Sequence, residues 1–343
     1  MNKDTKVIEL QNLNEYRIET QEKVKITLLS GRAEILGMEL LKDRTYETGS
    51  TFVFTYHTAE VRIEGRHFGY ATRDTNLPEI LRFAERRGVW QLKGSGKSTF
   101  LKILMNYMVR LHKKLLVTEL DPASGIVCPP LIVGAVMATR PFLELEDGPL
   151  LYYYGSKEIN NREMYTTLKN KLLGNYSAKC DLNIVLAPEG EEHDNILVLN
   201  DERMFYKASC RHKEYIRKTG GYQKTEKSWQ ERLGFYFYGS NTLTPFILNW
   251  GSRIYRLGDE FQTPTSALPL GSERKISEKE LFPVECQKGT VVAISSARKN
   301  DDIYPVKGYA VVAEVNPLKL LFPQSKAPIG DMLLYTDLKY SFD

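Results

Sequence analysis

Lys93-Gly94-Ser95-Gly96-Lys97-Ser98-Thr99 runs without a break into the apolar stripe Leu101, Leu104, Met105, Met108 and Leu111. A glycine-rich loop that opens an amphipathic helix is how proteins hold nucleoside triphosphates. Backbone N–H groups of Gly94, Ser95, Gly96 and Thr99 and the helix N-terminus face the phosphates, Lys97 reaches the β/γ oxygens, and the Ser98 hydroxyl coordinates Mg²⁺. The full motif places a glycine six residues before the lysine, and here that position is Gln91. A serine-capped helix behind a glycine turn uses the same residue types. What favours the nucleotide is the next segment, Leu115-Leu116-Val117-Thr118-Glu119-Leu120, an apolar strand ending at Asp121-Pro122. Loop, helix, strand and terminal aspartate describe one βαβ unit with its ligand at the carboxyl edge of the strands. An aspartate there can take a proton from an attacking hydroxyl or hold the water shell of a metal. Asp-Pro is also a common way to open a turn.

The 343 residues suffice for two or three domains with cores of their own. Composition is that of a soluble globular protein, 42% hydrophobic and 26% charged. No run of eighteen apolar residues is present, so no membrane span is expected, and Met1-Asn2-Lys3-Asp4 lacks the apolar core of a secretory signal. Cys128, Cys180, Cys210 and Cys286 are widely spaced, which fits free thiols in a reducing compartment. The net charge of +4 is too mild to identify a nucleic-acid binder. The basic residues do bunch: Lys207, Arg211, His212, Lys213, Arg217, Lys218, Lys224, Lys227 and Arg232, interleaved with Tyr206, Tyr215, Tyr222 and Trp229. That pattern suits a single-stranded polyanion, and it equally suits a solvated helix face.

Short alternating runs fill the first seventy or so residues: 24–28, 33–37, 51–56 and 61–65, broken by turns such as Ser30-Gly31-Arg32. They predict a small sandwich or barrel. Residues 78–87 read as a short charged helix leading into a mixed helix-and-strand region. There, 161–172 reads as helical, and 182–186 and 195–199 as buried parallel strands. Only eight residues separate those two strands, whereas a parallel crossover needs about a dozen or more. After Gly239 the pattern returns to β, clearest at 291–294, 308–313 and 332–335, with prolines 263, 265 and 269 at an irregular entry.

Several segments in this order resemble one family. They are Thr27-Leu28-Leu29-Ser30-Gly31-Arg32-Ala33-Glu34-Ile35-Leu36-Gly37-Met38-Glu39-Leu40, the Gly96-Lys97-Ser98-Thr99 loop, Glu119-Leu120-Asp121 and Phe235-Tyr236-Phe237-Tyr238-Gly239. Lys218-Thr219-Gly220-Gly221 and Ala267-Leu268-Pro269-Leu270-Gly271 add to the set. Together they resemble the P-loop polynucleotide-kinase subunit of the eukaryotic pre-mRNA cleavage factor, over nearly the whole chain. The resemblance implies a multidomain α/β protein: a P-loop core with a parallel sheet, flanked by an amino-terminal β-sandwich and a carboxyl-terminal β-rich α/β domain. The corresponding ranges are 1–74, 75–239 and 240–343. It further implies ATP and Mg²⁺ as ligands, RNA and the other cleavage-factor subunits as partners, no membrane, and a nuclear location. Carried over by position, Lys97 is the phosphate lysine, Ser98 the Mg²⁺ ligand and Asp121 the candidate base. Glu9, in Val7-Ile8-Glu9-Leu10, falls where the family contacts adenine, although a carboxylate on a first strand is also commonly just exposed.

The departures from the family bear on activity. Active members carry lid arginines just before the Tyr-Phe-Tyr-Gly motif, and those positions here are Trp229 and Gly234, with Arg232 and Arg217 the nearby arginines. An arginine over a transferring phosphoryl group is worth about three to five orders of magnitude in rate. The family's glutamine after the aspartate strand is Ser124, and the segment that carries a base-stacking tryptophan is cut to Leu186-Ala187-Pro188-Glu189-Gly190. The resemblance with these losses implies a nucleotide-stabilised scaffold in pre-mRNA 3′-end processing, and an active RNA 5′-hydroxyl kinase as the alternative.

Overall fold

The computed structural model describes residues 4–143, 150–177, 179–200, 211–219, 229–239, 242–257, 281–298, 301, 303–325 and 332–342. The chain divides into two compact units. The first comprises Met1–Thr118, Val136–Gly148 and Leu173–Thr225; the second comprises Glu119–Ala135, Pro149–Leu172 and Glu226–Asp343.

The first unit begins with nine strands: β1 (Thr5–Leu10), β2 (Asn14–Glu19), β3 (Val24–Gly31), β4 (Glu34–Ile35), β5 (Met38–Glu39), β6 (Thr45–Thr48), β7 (Thr51–Thr55), β8 (Ala59–Glu64) and β9 (Phe68–Thr72). They form two sheets, ordered β1-β8-β3-β6 and β5-β4-β7-β2-β9. Alternation decides which side chains meet. Ile8 and Leu10 of β1, Val24, Ile26 and Leu28 of β3, and Val61 and Ile63 of β8 point inward against Ile18 of β2 and Val53 of β7. The expected sandwich is therefore present. The runs that flank Ser30-Gly31-Arg32 lie in different sheets, β3 in one and β4 in the other. Gly31 (φ +77) makes the crossing, in a conformation that L side chains rarely adopt.

Helix α1 (Leu77–Phe83), with Pro78 in its first turn, leads to β10 (Gly88–Gly94), helix α2 (Lys97–Arg110) and β11 (Leu115–Glu119). β12 (Ile132–Val136), β13 (Leu150–Tyr153) and α3 (Arg162–Ser177) precede β14 (Leu182–Leu186), β15 (Asn195–Asn200) and β16 (His212–Arg217). Within the first unit the strands run in the order β16-β15-β10-β14-β11, with β16, β15, β10 and β14 paired in parallel. Every residue of β11 and β14 is buried, as expected for strands covered on both faces.

The eight-residue connection between β14 and β15 is resolved by this order. The two strands do not pair with each other; both pair with β10 in parallel, one on each side. They are also staggered. Gly88–Gln91 face Leu182–Val185, whereas Gln91–Gly94 face Ile196–Leu199. The connection steps back only a short way along β10 while crossing it, which removes the need for a long crossover.

Helix α2 buries Phe100, Leu101, Ile103, Leu104, Met105, Tyr107 and Met108, whereas Leu111, read as the end of its stripe, is exposed just past the helix. Its carboxyl-terminal half docks on the sandwich through polar groups. Asn106 Nδ2 donates to the carbonyls of Leu36 and Phe142, both at 2.8 Å, and Asn106 Oδ1 accepts Phe142 N–H at 2.8 Å. Arg110 donates to Glu34 at 2.5 Å and to the Gly37 carbonyl at 2.8 Å, and the Tyr107 hydroxyl donates to the other Glu34 oxygen. Gly37 (φ +78) lets the turn approach so closely that a Cβ would lie 2.8 Å from the Ile103 carbonyl. The Glu34–Met38 block, prominent in the resemblance, is thus the seat of this helix.

In the second unit, α4 (Trp229–Tyr238) precedes β17 (Phe246–Asn249), β18 (Ile254–Leu257), β19 (Leu281–Val284), β20 (Thr290–Ser295), β21 (Pro305–Glu314), β22 (Lys319–Phe322) and β23 (Met332–Lys339). These strands are mostly antiparallel, with β20 between β21 and β23. Val292, Ile294, Ala310, Val312, Leu320, Phe322 and Leu333 form their core. The β-rich carboxyl-terminal region is present as expected. Prolines 263, 265 and 269 and the Ala267–Gly271 segment lie outside the described residues.

Candidate functional site

β10 pairs with β15 to its last residue, Gly94, which faces Leu199. Gly94 then turns with φ +98, and a methyl group there would overlap the Leu199 carbonyl oxygen. Ser95 follows, then Gly96 in the left-handed region (φ +85), and α2 begins at Lys97. The loop between strand and helix is therefore Ser95-Gly96. In the full motif four residues separate the two glycines; here Ser95 alone does. Gln91, read as the place of the missing first glycine, is no loop residue at all. It lies mid-strand, buried, and Gly94 stands where the strand turns.

This loop fits an anion. The N-cap residue Gly96 makes no side-chain cap, so the first turn of α2 presents backbone donors and the positive end of the helix dipole. Gly96 has open space where a Cβ would stand. Lys97 and Ser98 are half-buried and Thr99 is exposed. A further cation, Lys218, donates to Ser95 Oγ at 2.5 Å. Lys218 was read only as one of a basic run. The run divides where the structure describes it: His212–Arg217 form β16, with Tyr215 54% exposed and the Lys213 ammonium 5.1 Å from its ring centroid, and Trp229 and Arg232 belong to α4. Residues 206, 207, 222, 224 and 227 lie outside the described residues.

Glu9 is exposed on β1, directly across from Glu60 of β8.

Asp121, in the second unit, is half-buried, and its Oδ1 accepts Ala123 N–H at 3.0 Å while its carbonyl accepts Ser124 N–H at 3.1 Å. One carboxylate oxygen thus opens a turn. The residue that organises this loop is Glu119, which sequence reading passed over. Its fully buried carboxylate accepts the Ser124 hydroxyl (2.5 Å) and the N–H groups of Ile126 (2.9 Å), Val127 (2.7 Å) and Cys128 (2.5 Å). Burial pushes the carboxyl up from its ordinary value, and these donors pull against that. Ser124, standing for the family's glutamine, is thereby committed to Glu119. A carboxylate closing an otherwise apolar strand was the available signal.

The two nearby arginines are engaged elsewhere. The Arg232 guanidinium donates to the Gly125 carbonyl, and Arg217 pairs with Asp74 at 2.6 Å. The Phe235-Tyr236-Phe237-Tyr238 motif anchors α4: Phe237 is buried and the Tyr236 hydroxyl accepts Tyr309 N–H at 3.2 Å.

Three family models match the chain. Residues 9–85 match the N-terminal beta-sandwich domain of polyadenylation factor, 92–188 the mRNA cleavage and polyadenylation factor CLP1 P-loop, and 249–341 the pre-mRNA cleavage complex II protein Clp1. The polyribonucleotide 5′-hydroxyl-kinase Clp1 of Homo sapiens is 28% identical over 414 aligned positions, covering 98% of this chain and 97% of the human protein. The protein of the same name from Bos taurus is 27% identical with the same coverage. In fold, the chain is similar to Clp1p in a wild-type Clp1p–Pcf11p complex, with a TM-score of 0.73, 17% identity and 99% of each chain covered. A second Clp1p structure, from work on the extended Pcf11p interface and on ATP loss in a glycine-to-arginine mutant, gives a TM-score of 0.72 at 17% identity, covering 99% of this chain and 100% of that one. The sandwich, the phosphate-loop sheet and the β-rich carboxyl-terminal region are thus each matched by the same family, and the chain belongs to the Clp1 family of pre-mRNA cleavage and polyadenylation factors.

Proposed function

We propose that this protein is an ATP-binding subunit of the nuclear pre-mRNA 3′-end cleavage and polyadenylation machinery and works mainly as a nucleotide-stabilised scaffold. Lys97 meets the β/γ phosphate oxygens, the first-turn amides of α2 and the Gly94-Ser95-Gly96-Lys97-Ser98-Thr99 loop hold the phosphates, and Ser98 would supply a ligand for Mg²⁺, whose charge would offset that of the phosphates. Glu9 serves adenine recognition. The partners are other cleavage-factor subunits, among them one of the Pcf11 type, and RNA.

The observation that carries the scaffold over the kinase is the engagement of the arginines. Trp229 and Gly234 stand at the lid positions, and the two arginines that could stand in are held by Gly125 and Asp74. Transition-state charge on a transferring phosphoryl group then lacks the donor that is worth about three to five orders of magnitude. The kinase reading is favoured by retention of Lys97, Ser98 and Asp121. In it Asp121 takes the proton of an RNA 5′-hydroxyl and Lys97 neutralises the γ-phosphoryl group.

The test is transfer of labelled γ-phosphate from ATP to a 5′-hydroxyl RNA oligonucleotide, with bound nucleotide measured in the same preparation. Bound ATP without transfer is expected. Transfer abolished by both Lys97→Ala and Asp121→Asn would establish the kinase instead.

A further inference from the structure

We propose that Lys218 is a second phosphate-contacting lysine, recruited from the end of β16 to make up for the donors that the shortened loop lacks; this rests on the ATP-binding reading above. With Ser95 alone between Gly94 and Gly96, the loop has three fewer backbone N–H groups than the full motif to set against a polyphosphate. The missing donors have to come from elsewhere.

Strand register brings Lys218 to the loop. Gly94 of β10 faces Leu199 of β15, and Leu199 faces Ile216 of β16. The next row beyond Leu199 is Asn200 against Arg217, and Lys218 stands one residue further, at the carboxyl edge where parallel sheets bind their ligands. Its backbone is fixed there by Lys218 N–H donating to the Asn200 carbonyl at 2.9 Å. Its ammonium donates to Ser95 Oγ at 2.5 Å. The neighbouring Lys93, by contrast, is held by the Glu192 carboxylate at 3.4 Å. A bond from an ammonium to a neutral hydroxyl is weaker than one to a phosphate oxygen. Incoming nucleotide therefore exchanges the Ser95 hydroxyl for a phosphate oxygen on Lys218 with a gain, while Lys97 approaches from the helix side.

Lys218 is exposed, so its replacement leaves the core intact. Full-length wild type, Lys218→Ala, Lys218→Arg and, as a control on the same strand, Lys213→Ala are titrated with ATP, ADP and adenosine by calorimetry. Lys218→Ala is expected to weaken ATP about tenfold or more and ADP less, and to leave adenosine unchanged; Lys218→Arg keeps most of the affinity and Lys213→Ala changes it less than about twofold, each tenfold step corresponding to about 1.4 kcal/mol. Wild-type ATP affinity in Lys218→Ala overturns the proposal and leaves the ATP reading standing. An equal loss for ATP and adenosine marks a structural role and also overturns it. No nucleotide binding in the wild type overturns both.

Discussion

The side chain of Gln91 accepts the backbone N–H of His193 at 3.1 Å through Oε1 and donates from Nε2 to the Glu191 carbonyl at 2.8 Å. Gln91 is also the one β10 residue paired with both neighbours, Val185 of β14 and Ile196 of β15. A residue that reads as a defect in a phosphate loop is thus the pin of the short connection over β10. Gln91→Leu leaves a backbone donor and a carbonyl of that connection without this partner, and is expected to cost about 1–3 kcal/mol in urea unfolding. Gln91→Gly, which makes the sequence look more like the full motif, is expected to lose at least as much stability and to gain no ATP affinity, as read by calorimetry.

Gly94 and Gly96 separate a structural from a functional glycine. Alanine at Gly94 meets both a positive φ and the Leu199 carbonyl, so a loss above about 2 kcal/mol is expected. Alanine at Gly96 meets open space and only the left-handed backbone penalty, roughly 1–2 kcal/mol. Thermal unfolding of the two variants should rank them in that order, and the reverse ranking would rule out this loop geometry.

Glu119→Ala removes the common acceptor of four donors, three of them backbone N–H groups. Orphaned buried donors cost about 1–3 kcal/mol each, so a loss of at least about 3 kcal/mol is expected in denaturant unfolding. Amide exchange at Ile126, Val127 and Cys128 should rise well beyond that of β20. Unchanged protection there would show that the loop holds without its carboxylate.

Burial pushes the Tyr56 phenol up to about 12; the Glu34 carboxylate adds to the rise, and the hydrogen bond with the Tyr107 hydroxyl at 3.3 Å works against it. A folded value above the ordinary 10 means that the protonated phenol stabilises the native state fully below pH 10. That contribution disappears as pH rises through about 12. Wild type should therefore lose stability relative to Tyr56→Phe between pH 10 and pH 12. Parallel stability curves for the two proteins over that window would refute it.

Local pattern reached far into this fold. The strand-loop-helix-strand order around Lys97, the alternation that gives the sandwich its inward face, and the helix read over 161–172, which the fold extends as Arg162–Ser177, are all periodic signals that short windows carry. What local pattern could not carry is register. The staggered pairing of β14 and β15 on β10 involves residues about a hundred positions apart, and so do the partners of Gln91 and Lys218. Motif spacing placed the first loop glycine by counting back from Lys97; strand pairing places it at Gly94 instead. The role of Glu119 escaped for another reason: a carboxylate closing an apolar strand is visible, but its four donors converge only once the following loop has folded.

Helix α2 is held at both ends by unlike attachments, an anion-ready first turn and a last turn clamped to Glu34, Leu36 and Gly37. Its fourteen residues make a rod about 21 Å long, at about 1.5 Å per residue. Loss of phosphate chemistry at Lys97 would leave the far end untouched, and the sandwich would still need its strut. Selection can accordingly shorten the loop ahead of this helix, or abandon turnover altogether, long before it can dispense with the helix itself.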